Sequence, residues 1–436
     1  MDSTMTPLAH TRRLLLASAP AVAGALAAAC AGIGDQTGGA AQRRPVTVAF
    51  LTNWAGGTRL ETLQKALPEF QRQFPHITVD FQYKDEGMRA MIIAQAAANT
   101  LAHVALGAGQ FFHEFVNRGY LFDISPTLKK LKVDLNDYTL VPGVADFEGK
   151  RYGMPFQLQA IIWAYNKTMF DRFGVKPPTT DWTWNELLEA AQALTRAQEQ
   201  QWGVLMFNGL EMQWGPLVYS NGQDWISADF KKTLLDQPPA IEAAQFAVDL
   251  IHRYRVSPTT EERTQYRPGL TAGNIGMAVT GAGLAATIRT QNPAFELDYF
   301  PTPIAPRTRR RVAMVSDQPH WAMSSAKDRP EEATQLLLFL SGEYTQGLIT
   351  DLRGTTPVLK KLQTSDRYLS PPPATMKLLV DAFAYTKPMP FHAKFTPWFD
   401  AITEAMNPAF NGQQQVPDAL KEATRLADQV LAEPMA

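Results

Sequence analysis

VTVAFLTNWAGGTRLETLQKALPEFQRQF, at residues 46–74, is the stretch that decides the fold class of this chain. It begins with a short β-branched run at residues 46–51, which is typical of a buried strand. A glycine-containing loop at residues 52–57 follows the strand. Apolar residues then recur at helical spacing, at Leu60, Leu63, Leu67, Phe70 and Phe74. This order of strand, loop and amphipathic helix predicts the first unit of an α/β fold.

The same alternation of strand and helix continues to residue 118. Residues 77–83 alternate as a strand, residues 88–98 form an alanine-rich helix, and residues 103–106 and 111–118 predict a further strand and helix. This βαβαβα order predicts a mostly parallel sheet. Ligands of such sheets lie beyond the carboxyl ends of the strands, which places candidates at residues 53–54, 85–86 and 107–110.

A second α/β set follows the segment GKRYGMP at residues 149–155. The Gly-Lys pair in this segment predicts a hairpin turn, which leads into a strand at residues 161–166. A capping box at residues 183–186 predicts the start of a helix, and residues 416–431 predict a final amphipathic helix. Since 436 residues exceed what one core usually serves, we expect two lobes.

The first thirty residues predict export from the cytoplasm. Arg12 and Arg13 precede an apolar, alanine-rich stretch at residues 14–29, which is typical of a secretory signal peptide and too short to span a membrane. The two arginines also resemble a twin-arginine (Tat) signal, which directs export of a folded protein. An ordinary signal peptide that happens to hold two arginines is the alternative.

Cys30 is the only cysteine of the chain, so an internal disulfide is excluded. It follows Ala-Ala-Ala at the end of the apolar run and resembles the lipobox cysteine of bacterial lipoproteins. Residues 1–30 are therefore interpreted as a signal peptide with a lipobox, with Cys30 as the lipidated residue. Residues 31–44, rich in Gly, Ala and Gln, are interpreted as a flexible tether to the membrane.

Charge and motifs argue against nucleic-acid binding and against catalysis. The 41 basic side chains nearly cancel the 42 acidic ones, so no large field of one sign attracts nucleic acid. HEFVN at residues 113–117 lacks the second histidine of a zinc-protease helix. GAGLAA at residues 281–286 fits a dinucleotide fingerprint only in its glycine spacing, because no acidic residue follows at the required distance. We therefore predict a non-enzyme with no metal and no cofactor.

Several segments, taken in their order behind the signal peptide, resemble the extracellular solute-binding proteins of sugar importers, the maltose-binding-protein type. They are GKRYGMP (149–155) with YNK (165–167), GNIGMAVTG (273–281), PEEA (330–333) leading to FL (339–340), and DAL (418–420). The resemblance implies a two-lobed periplasmic-binding-protein fold of type II with three crossings between the lobes. It implies lobe 1 at residues 45–157 and 302–352, and lobe 2 at residues 158–301 and 353–436.

The resemblance also implies a role and partners. Closure of the lobes buries a small solute, which we expect to be a carbohydrate. The permease subunits of an ABC importer then recognise the closed shape. The protein is then an extracytoplasmic monomer that touches the membrane only through its lipid. Binding of glycerol phosphate, another polyol or an oligopeptide is the alternative within this class, and a glycan-active secreted enzyme is the alternative outside it.

Candidate ligand-binding residues come from the family pattern and from the strand ends. Trp398 falls where the family stacks a tryptophan on its sugar, and Gln159 falls where it has a ligand-contacting glutamate. Gly107 and Gly283 replace stacking tryptophans, so maltose itself is not expected. Other tryptophans are candidates for stacking, with core packing as the alternative for each. The full set is Trp398, Gln159, Trp54, Asn53, Trp214, Glu86, Gln110, Trp321 and Arg353.

Overall fold

The computed structural model describes residues 44–54, 56–84 and 87–434. Cys30, the signal peptide, residues 31–43 of the tether and Glu86 lie outside the described residues. The strands are β1 Val46–Thr52, β2 Ile77–Tyr83, β3 Val104–Leu106, β4 Asp146–Phe147, β5 Lys150–Arg151, β6 Gly153–Asn166, β7 Trp202–Leu205, β8 Ile275–Thr280, β9 Leu297–Phe300, β10 Ala313–Ala322 and β11 Thr386–Pro388.

Between residues 57 and 117 the described helices follow the predicted pattern closely. The helices are α1 Gly57–Gln73, α2 Met88–Ala97, α3 Gly109–Asn117, α4 Ser125–Lys130, α5 Lys167–Phe173, α6 Trp184–Leu194, α7 Gly215–Ser220, α8 Pro238–His252, α9 Thr260–Tyr266, α10 Gly283–Gln291, α11 Pro330–Ser341, α12 Glu343–Leu352, α13 Lys360–Gln363, α14 Asp366–Leu369, α15 Lys377–Asp381, α16 Phe395–Phe410 and α17 Val416–Ala432. The predicted capping box is confirmed, because Thr183 and Glu186 bond reciprocally at the start of α6.

Nine of the described strands form a mixed sheet with the order β2-β1-β3-β10-β6-β8-β7, where β11 pairs with β10 and β9 with β6, and β4 and β5 form a separate two-stranded sheet. The pairs β1/β2, β1/β3 and β7/β8 are parallel, as the βα alternation predicts. The pairs that involve β6 with β10, β8 or β9 are antiparallel. The sheet is therefore more mixed than the predicted, mostly parallel one.

Two long strands, β6 and β10, connect the two halves of the sheet. At one end Trp321 of β10 pairs with Gly153 of β6 and with Ala105 of β3. At the other end Met314 of β10 pairs with Ile161 of β6, beyond which β6 pairs with β8 and β9. We call β6 and β10 the crossing strands, because each runs from one half of the sheet into the other.

The buried apolar side chains separate into two halves along the same line. The clusters of lobe 1 draw on residues 48–156 and 321–349. The clusters of lobe 2 draw on residues 160–314 and 368–427. A small cluster around Leu158, Val315 and Val358 lies between them. Each lobe therefore has its own core and is discontinuous in sequence.

The second change of lobe lies inside β10 rather than before residue 302, where the sequence interpretation put it. Ala305 and Met314 pack in the core of Trp184 and Trp398, which belongs to lobe 2. Ile304 also forms a β-bridge with Thr183 at the start of α6. These contacts fix residues 302–314 to lobe 2, although the sequence placed residues 302–352 in lobe 1.

Among the residues that the structure describes, no helix combines the length and the apolar character that crossing a membrane requires.

Candidate ligand-binding cleft

A cavity of about 380 Å³ opens where residues of the two lobes meet. Lobe 1 contributes His113 of α3 with Pro142 and Gly143. The other lining residues are Tyr219, Asp224, Trp225, Ile226, Ser227, Ala228, Phe230, Lys387, Pro388, Met389, Pro390 and Phe391. We call this space the interlobe cavity. Its volume lies within the range of roughly 300–1,000 Å³ that is common for small-molecule sites.

Aromatic residues lie along the interlobe cavity, with Tyr219 and Trp225 buried at its wall and Phe230 exposed. Tyr219 and Trp225 stack with their ring centroids 4.8 Å apart and their planes 12° apart. Phe230 leaves 42% of its surface exposed, which is unusual for a large apolar side chain. Tyr219 lies in the last turn of α7, whereas Trp225 and Phe230 lie in the loop that follows it, where Gly222 adopts a φ of 93° and turns the chain.

The polar groups of the cavity carry little net charge. Lys387 forms an ion pair with Asp224, and its ammonium lies 4.3 Å from the centroid of the Tyr219 ring. Burial lowers the pKa of His113. His392 does not line the cavity, but its ring lies 5.5 Å from that of Phe230. Burial, with the nearby His113 and Lys394, lowers the pKa of His392 to about 4, so both imidazoles are neutral at pH 7. The cavity therefore suits an uncharged ligand.

The lobes also touch beside this cavity. The ring of Phe391 lies so close to Gly109, in the first turn of α3, that a Cβ placed on Gly109 would be 2.3 Å from its Cε2. Phe391 packs against the core of lobe 2, whereas α3 packs in the core of lobe 1. This contact depends on the absence of a side chain at residue 109.

Two titratable groups of the crossing strand β10, Asp317 and His320, are buried. Burial raises the pKa of Asp317 to about 7, partly offset by a hydrogen bond from the backbone of Phe156 and by the charge of Arg151. Burial lowers the pKa of His320 to about 3, and this ring packs between Phe50 and Phe156. The crossing strand thus holds both groups in their uncharged forms near neutral or lower pH.

The carboxyl of Asp317 predicts a pH dependence of folding stability. Its pKa of about 7 in the folded chain is above the unfolded value of about 3.9, so the folded state binds the extra proton between these limits. Its contribution to stability is therefore lost as the pH rises from about 4 through about 7. We expect the difference in melting temperature between Asp317→Asn and wild type to be more positive at pH 8 than at pH 5. His320 and His392 titrate in both proteins, so their contributions cancel in this difference. A difference that does not change with pH would contradict the raised pKa of Asp317.

Three of the candidate tryptophans have no exposed surface. Trp214, Trp321 and Trp398 are each 0% exposed. Their indole N–H groups donate to Asn208 Oδ1, Val144 O and Thr233 Oγ1, respectively, at 2.8 to 3.1 Å. In this conformation they offer no face to a ligand, because neighbouring core side chains cover both faces. In this conformation the three tryptophans pack as core residues, and a role in sugar stacking stays a prediction.

Arg353 is also a structural side chain. It is 2% exposed, and its guanidinium donates to the backbone carbonyls of Arg367 and Ser370. Because these acceptors hold it within residues 353–372, it does not point into the interlobe cavity. In this conformation Arg353 fixes this segment, and its role in ligand binding stays a prediction.

The structure describes four further candidates, Trp54, Asn53, Gln159 and Gln110. Trp54 is 1% exposed, and its ring packs 4.4 Å from that of Phe156. Asn53 Oδ1 is buried and has no hydrogen-bond partner among the described residues. Gln159 lies on β6, where a Cβ on Gly281 would be 2.3 Å from its Oε1. Gln110 is exposed in the first turn of α3.

Sequence reasoning missed the residues that line the interlobe cavity. Its main contributors, at residues 219–230 and 387–391, come from the end of α7, the edge strand β11 and the loops that follow these two elements, and no regular pattern marks them as functional. It also missed Glu211, in the π-helical turn Leu210–Trp214, whose pKa burial raises. π-Helical turns and carboxyls with raised pKa values are frequent at functional sites. The loop SNGQDW at residues 220–225, with a tryptophan beside a charge, was the available signal.

The chain belongs to the bacterial extracellular solute-binding protein family, whose profile matches residues 54–346. This confirms the sequence resemblance and the prediction of a solute-binding protein instead of an enzyme. A protein of Brucella abortus (strain 2308), named as a binding protein, is 25% identical over 390 residues, covering 86% of this chain and 90% of that protein. The diacetylchitobiose binding protein of Streptomyces coelicolor is 26% identical over 268 residues, or 58% of this chain and 59% of that protein.

Solved structures show the same fold. The ABC substrate-binding protein of Listeria monocytogenes in complex with cycloalternan has a TM-score of 0.78 at 20% identity, covering 89% of this chain and 98% of that chain. A maltose-bound protein of T. maritima has a TM-score of 0.74 at 22% identity, covering 88% and 99%. The predicted α/β fold with two discontinuous lobes is therefore confirmed.

Proposed function

We propose that this protein captures a carbohydrate in the interlobe cavity and delivers it to an ABC importer. The observation that carries the proposal is a cavity between the two lobes of a solute-binding fold, lined by aromatic rings and by few, internally paired charges. A flat ring packs on the apolar C–H face of a pyranose, while amide, hydroxyl and imidazole groups take its hydroxyls. The sugars named for the structural and sequence relatives support this class of ligand.

The charges favour a neutral sugar over a phosphorylated polyol. A phosphate needs an unpaired cation or converging N–H donors. Lys387, the cation lining the cavity, is paired with Asp224. Arg353 is held by backbone carbonyls, and Arg59 lies over the ring of Trp54 at 5.7 Å. None of these three guanidinium or ammonium groups is positioned to receive a phosphate in the cavity.

Closure about the crossing strands couples binding to transport in this proposal. The lobes have separate cores, and β6 and β10 continue from one core into the other. A solute that contacts both lobes stabilises the closed arrangement, because only closure completes its contacts. The permease subunits then bind the closed monomer.

Outside the described residues, the N-terminal sequence supports a location on the outer face of a membrane. A charged pair at Arg12 and Arg13, an apolar stretch and Cys30 after three alanines favour export and lipid attachment at that cysteine. The lipid would hold the two lobes close to the permease. Residues 31–44 would be the tether, and its length would set how far the lobes can move from the lipid anchor.

We expect a carbohydrate to raise the melting temperature of the mature protein and to bind without turnover, since a ligand of the folded state stabilises it. A panel of maltotriose, cycloalternan, diacetylchitobiose, tagatose and glycerol 3-phosphate tests the class by thermal shift, and calorimetry then gives Kd. Phe230→Ala is expected to weaken Kd about tenfold, since an aromatic contact is worth about 0.5–1.5 kcal/mol beyond its buried area.

Tyr344→Ala is the matched control for this variant, because Tyr344 is 44% exposed on α12 and does not line the cavity. Its Kd is expected to equal that of wild type. Stabilisation by glycerol 3-phosphate alone, or release of a cleaved product, would contradict the proposal.

A further inference from the structure

Positive charge is concentrated in one turn of lobe 2, just before β10. The sequence there is PRTRRR at residues 306–311, and no other five-residue stretch of the chain holds four basic residues. The chain turns at this place, because Ala305 N donates to Arg310 O at 2.8 Å and Arg309 N donates to Ala305 O at 3.0 Å. We call residues 305–311 the arginine turn.

The fold holds the backbone of the arginine turn in place. Thr308 Oγ1 donates to the carbonyl of Ser220, the last residue of α7. On the other side of the turn, Val312 N donates to Ser220 Oγ at 2.8 Å. The arginine side chains are therefore carried by a backbone that is bonded to lobe 2 from within the turn and from its end.

Three of the four guanidinium groups are exposed and have no ion-pair partner among the residues that the structure describes. These are the side chains of Arg307, Arg309 and Arg310. Arg311 differs, because its guanidinium donates to Thr180 O and lies over the ring of Tyr385. Arg311 is therefore tied into the fold, whereas the other three side chains are free to bind an external anion.

This arrangement costs free energy that an external anion would recover. Other exposed arginines are paired on their own helices, as Arg72 is with Glu69 and Arg425 with Glu422. Neighbouring cations without such partners repel one another. Arg309 adds backbone strain, because its φ of 58° lies in the left-handed region that glycine adopts at least cost.

The composition of the arginine turn favours a charged surface over a protein as its partner. Protein interfaces have an apolar, aromatic-rich core, and the turn contains no large apolar side chain. The anionic headgroups of a lipid bilayer attract basic clusters by charge alone. Guanidinium groups also match phosphate geometry with two parallel hydrogen bonds. The lipid proposed for Cys30 would already hold the chain at such a surface.

We propose that the arginine turn is a docking surface for anionic phospholipid headgroups on the outer face of the membrane. Arg307, Arg309 and Arg310 bind headgroup phosphates, while Arg311 keeps the turn in its conformation. The contact goes beyond the proposed function, because it requires no bound solute and does not depend on which solute is carried. It turns lobe 2 toward the bilayer, so the two lobes meet the permease from a restricted range of orientations.

Sedimentation with lipid vesicles tests this proposal on the mature chain. Every sample carries Cys30→Ser, so that no attached lipid contributes, and every sample keeps residues 31–44. Vesicles of phosphatidylglycerol and phosphatidylcholine in equal parts are compared with vesicles of phosphatidylcholine alone. We expect wild type to sediment only with the anionic vesicles at low ionic strength and to be released by salt, since salt screens exposed charges.

Two triple variants separate the arginine turn from net charge. Arg307→Gln/Arg309→Gln/Arg310→Gln is expected to lower the partition coefficient at least about tenfold, because each arginine near an anionic surface contributes roughly fivefold. The matched control is Arg72→Gln/Arg253→Gln/Arg425→Gln, which removes the same charge from exposed arginines that are paired on their own helices. Its partition coefficient is expected to stay within twofold of wild type.

Arg309→Gly separates charge from folding at a single position. Glycine accepts the φ of 58° without strain, so we expect the melting temperature to equal that of wild type. The partition coefficient on anionic vesicles is expected to fall about fivefold.

Three results would overturn the assignment. They are no sedimentation of wild type with anionic vesicles at low ionic strength, equal sedimentation with both kinds of vesicle, and equal losses in the two triple variants. None of them bears on sugar binding, which the thermal-shift panel tests without vesicles. Should the first triple variant not fold, Arg309→Gly and Arg307→Gln give the same readout one charge at a time.

Discussion

Replacing Trp398 by alanine is expected to lower the free energy of unfolding by about 3–5 kcal/mol, as for other large buried aromatic side chains. The indole is 0% exposed, and it packs against Phe395 and His392 with ring centroids 5.9 and 5.5 Å away. Its Nε1 donates to Thr233 Oγ1 at 2.9 Å, so truncation both opens a cavity and leaves this hydroxyl without its donor. Chemical denaturation of the unliganded protein measures the loss.

The conservative variant Trp398→Phe separates packing from sugar stacking. A phenyl ring keeps most of the buried contacts and loses the hydrogen bond to Thr233. We expect it to fold with a smaller loss of stability and to bind sugar with the affinity of wild type. If Trp398→Phe instead weakens sugar binding, Trp398 contacts the sugar and belongs to the ligand site.

Part of the secondary structure was predictable because it depends on local pattern. The alternation at residues 77–83 and the capping box of Thr183 and Glu186 appear in the structure at the predicted positions. Periodicity and caps are decided by residues within one or two turns of each other. The arrangement of the two lobes came from the resemblance to a family instead of from local pattern.

Whether each tryptophan is buried in a core or faces a ligand was not predictable from local pattern. Trp398 is covered by a partner, Thr233, that lies 165 residues away in sequence. Trp321 donates to the backbone of Val144, which is 177 residues away. Whether an aromatic ring faces a core or a ligand depends on such distant neighbours, and a single sequence does not show them.

The interlobe cavity was missed for a related reason. Asp224 and Lys387 form an ion pair across 163 residues of sequence, which leaves the charge of the cavity balanced. Each of these residues, taken alone in its loop, is an ordinary surface charge. The fold brings Asp224 and Lys387 together beside Tyr219 and Phe230, and only this arrangement gives a site with aromatic residues and little net charge.

A side chain at Gly109 is expected to weaken sugar binding by roughly tenfold to a hundredfold without unfolding lobe 1. Overpacking costs about 1–3 kcal/mol, and each 1.4 kcal/mol changes Kd tenfold. A Cβ at this position would lie 2.3 Å from Cε2 of Phe391, so Gly109→Ala and, more strongly, Gly109→Val force the lobes apart at this contact. Calorimetry with the best sugar of the panel measures the change.

The location of the clash distinguishes this effect from simple destabilisation. Gly107→Ala creates a similar overlap, 2.3 Å from Cε2 of Trp321, but both residues pack within lobe 1. That control is expected to lower the melting temperature, whereas Gly109→Ala keeps it, because alanine favours the helix that begins at this residue.

Shortening the opposing ring with Phe391→Leu removes the overlap, so the double variant Gly109→Ala/Phe391→Leu is expected to bind more tightly than the two single effects predict. Additive losses would mean that the two residues do not meet when the sugar binds, and closure would then bring other surfaces together.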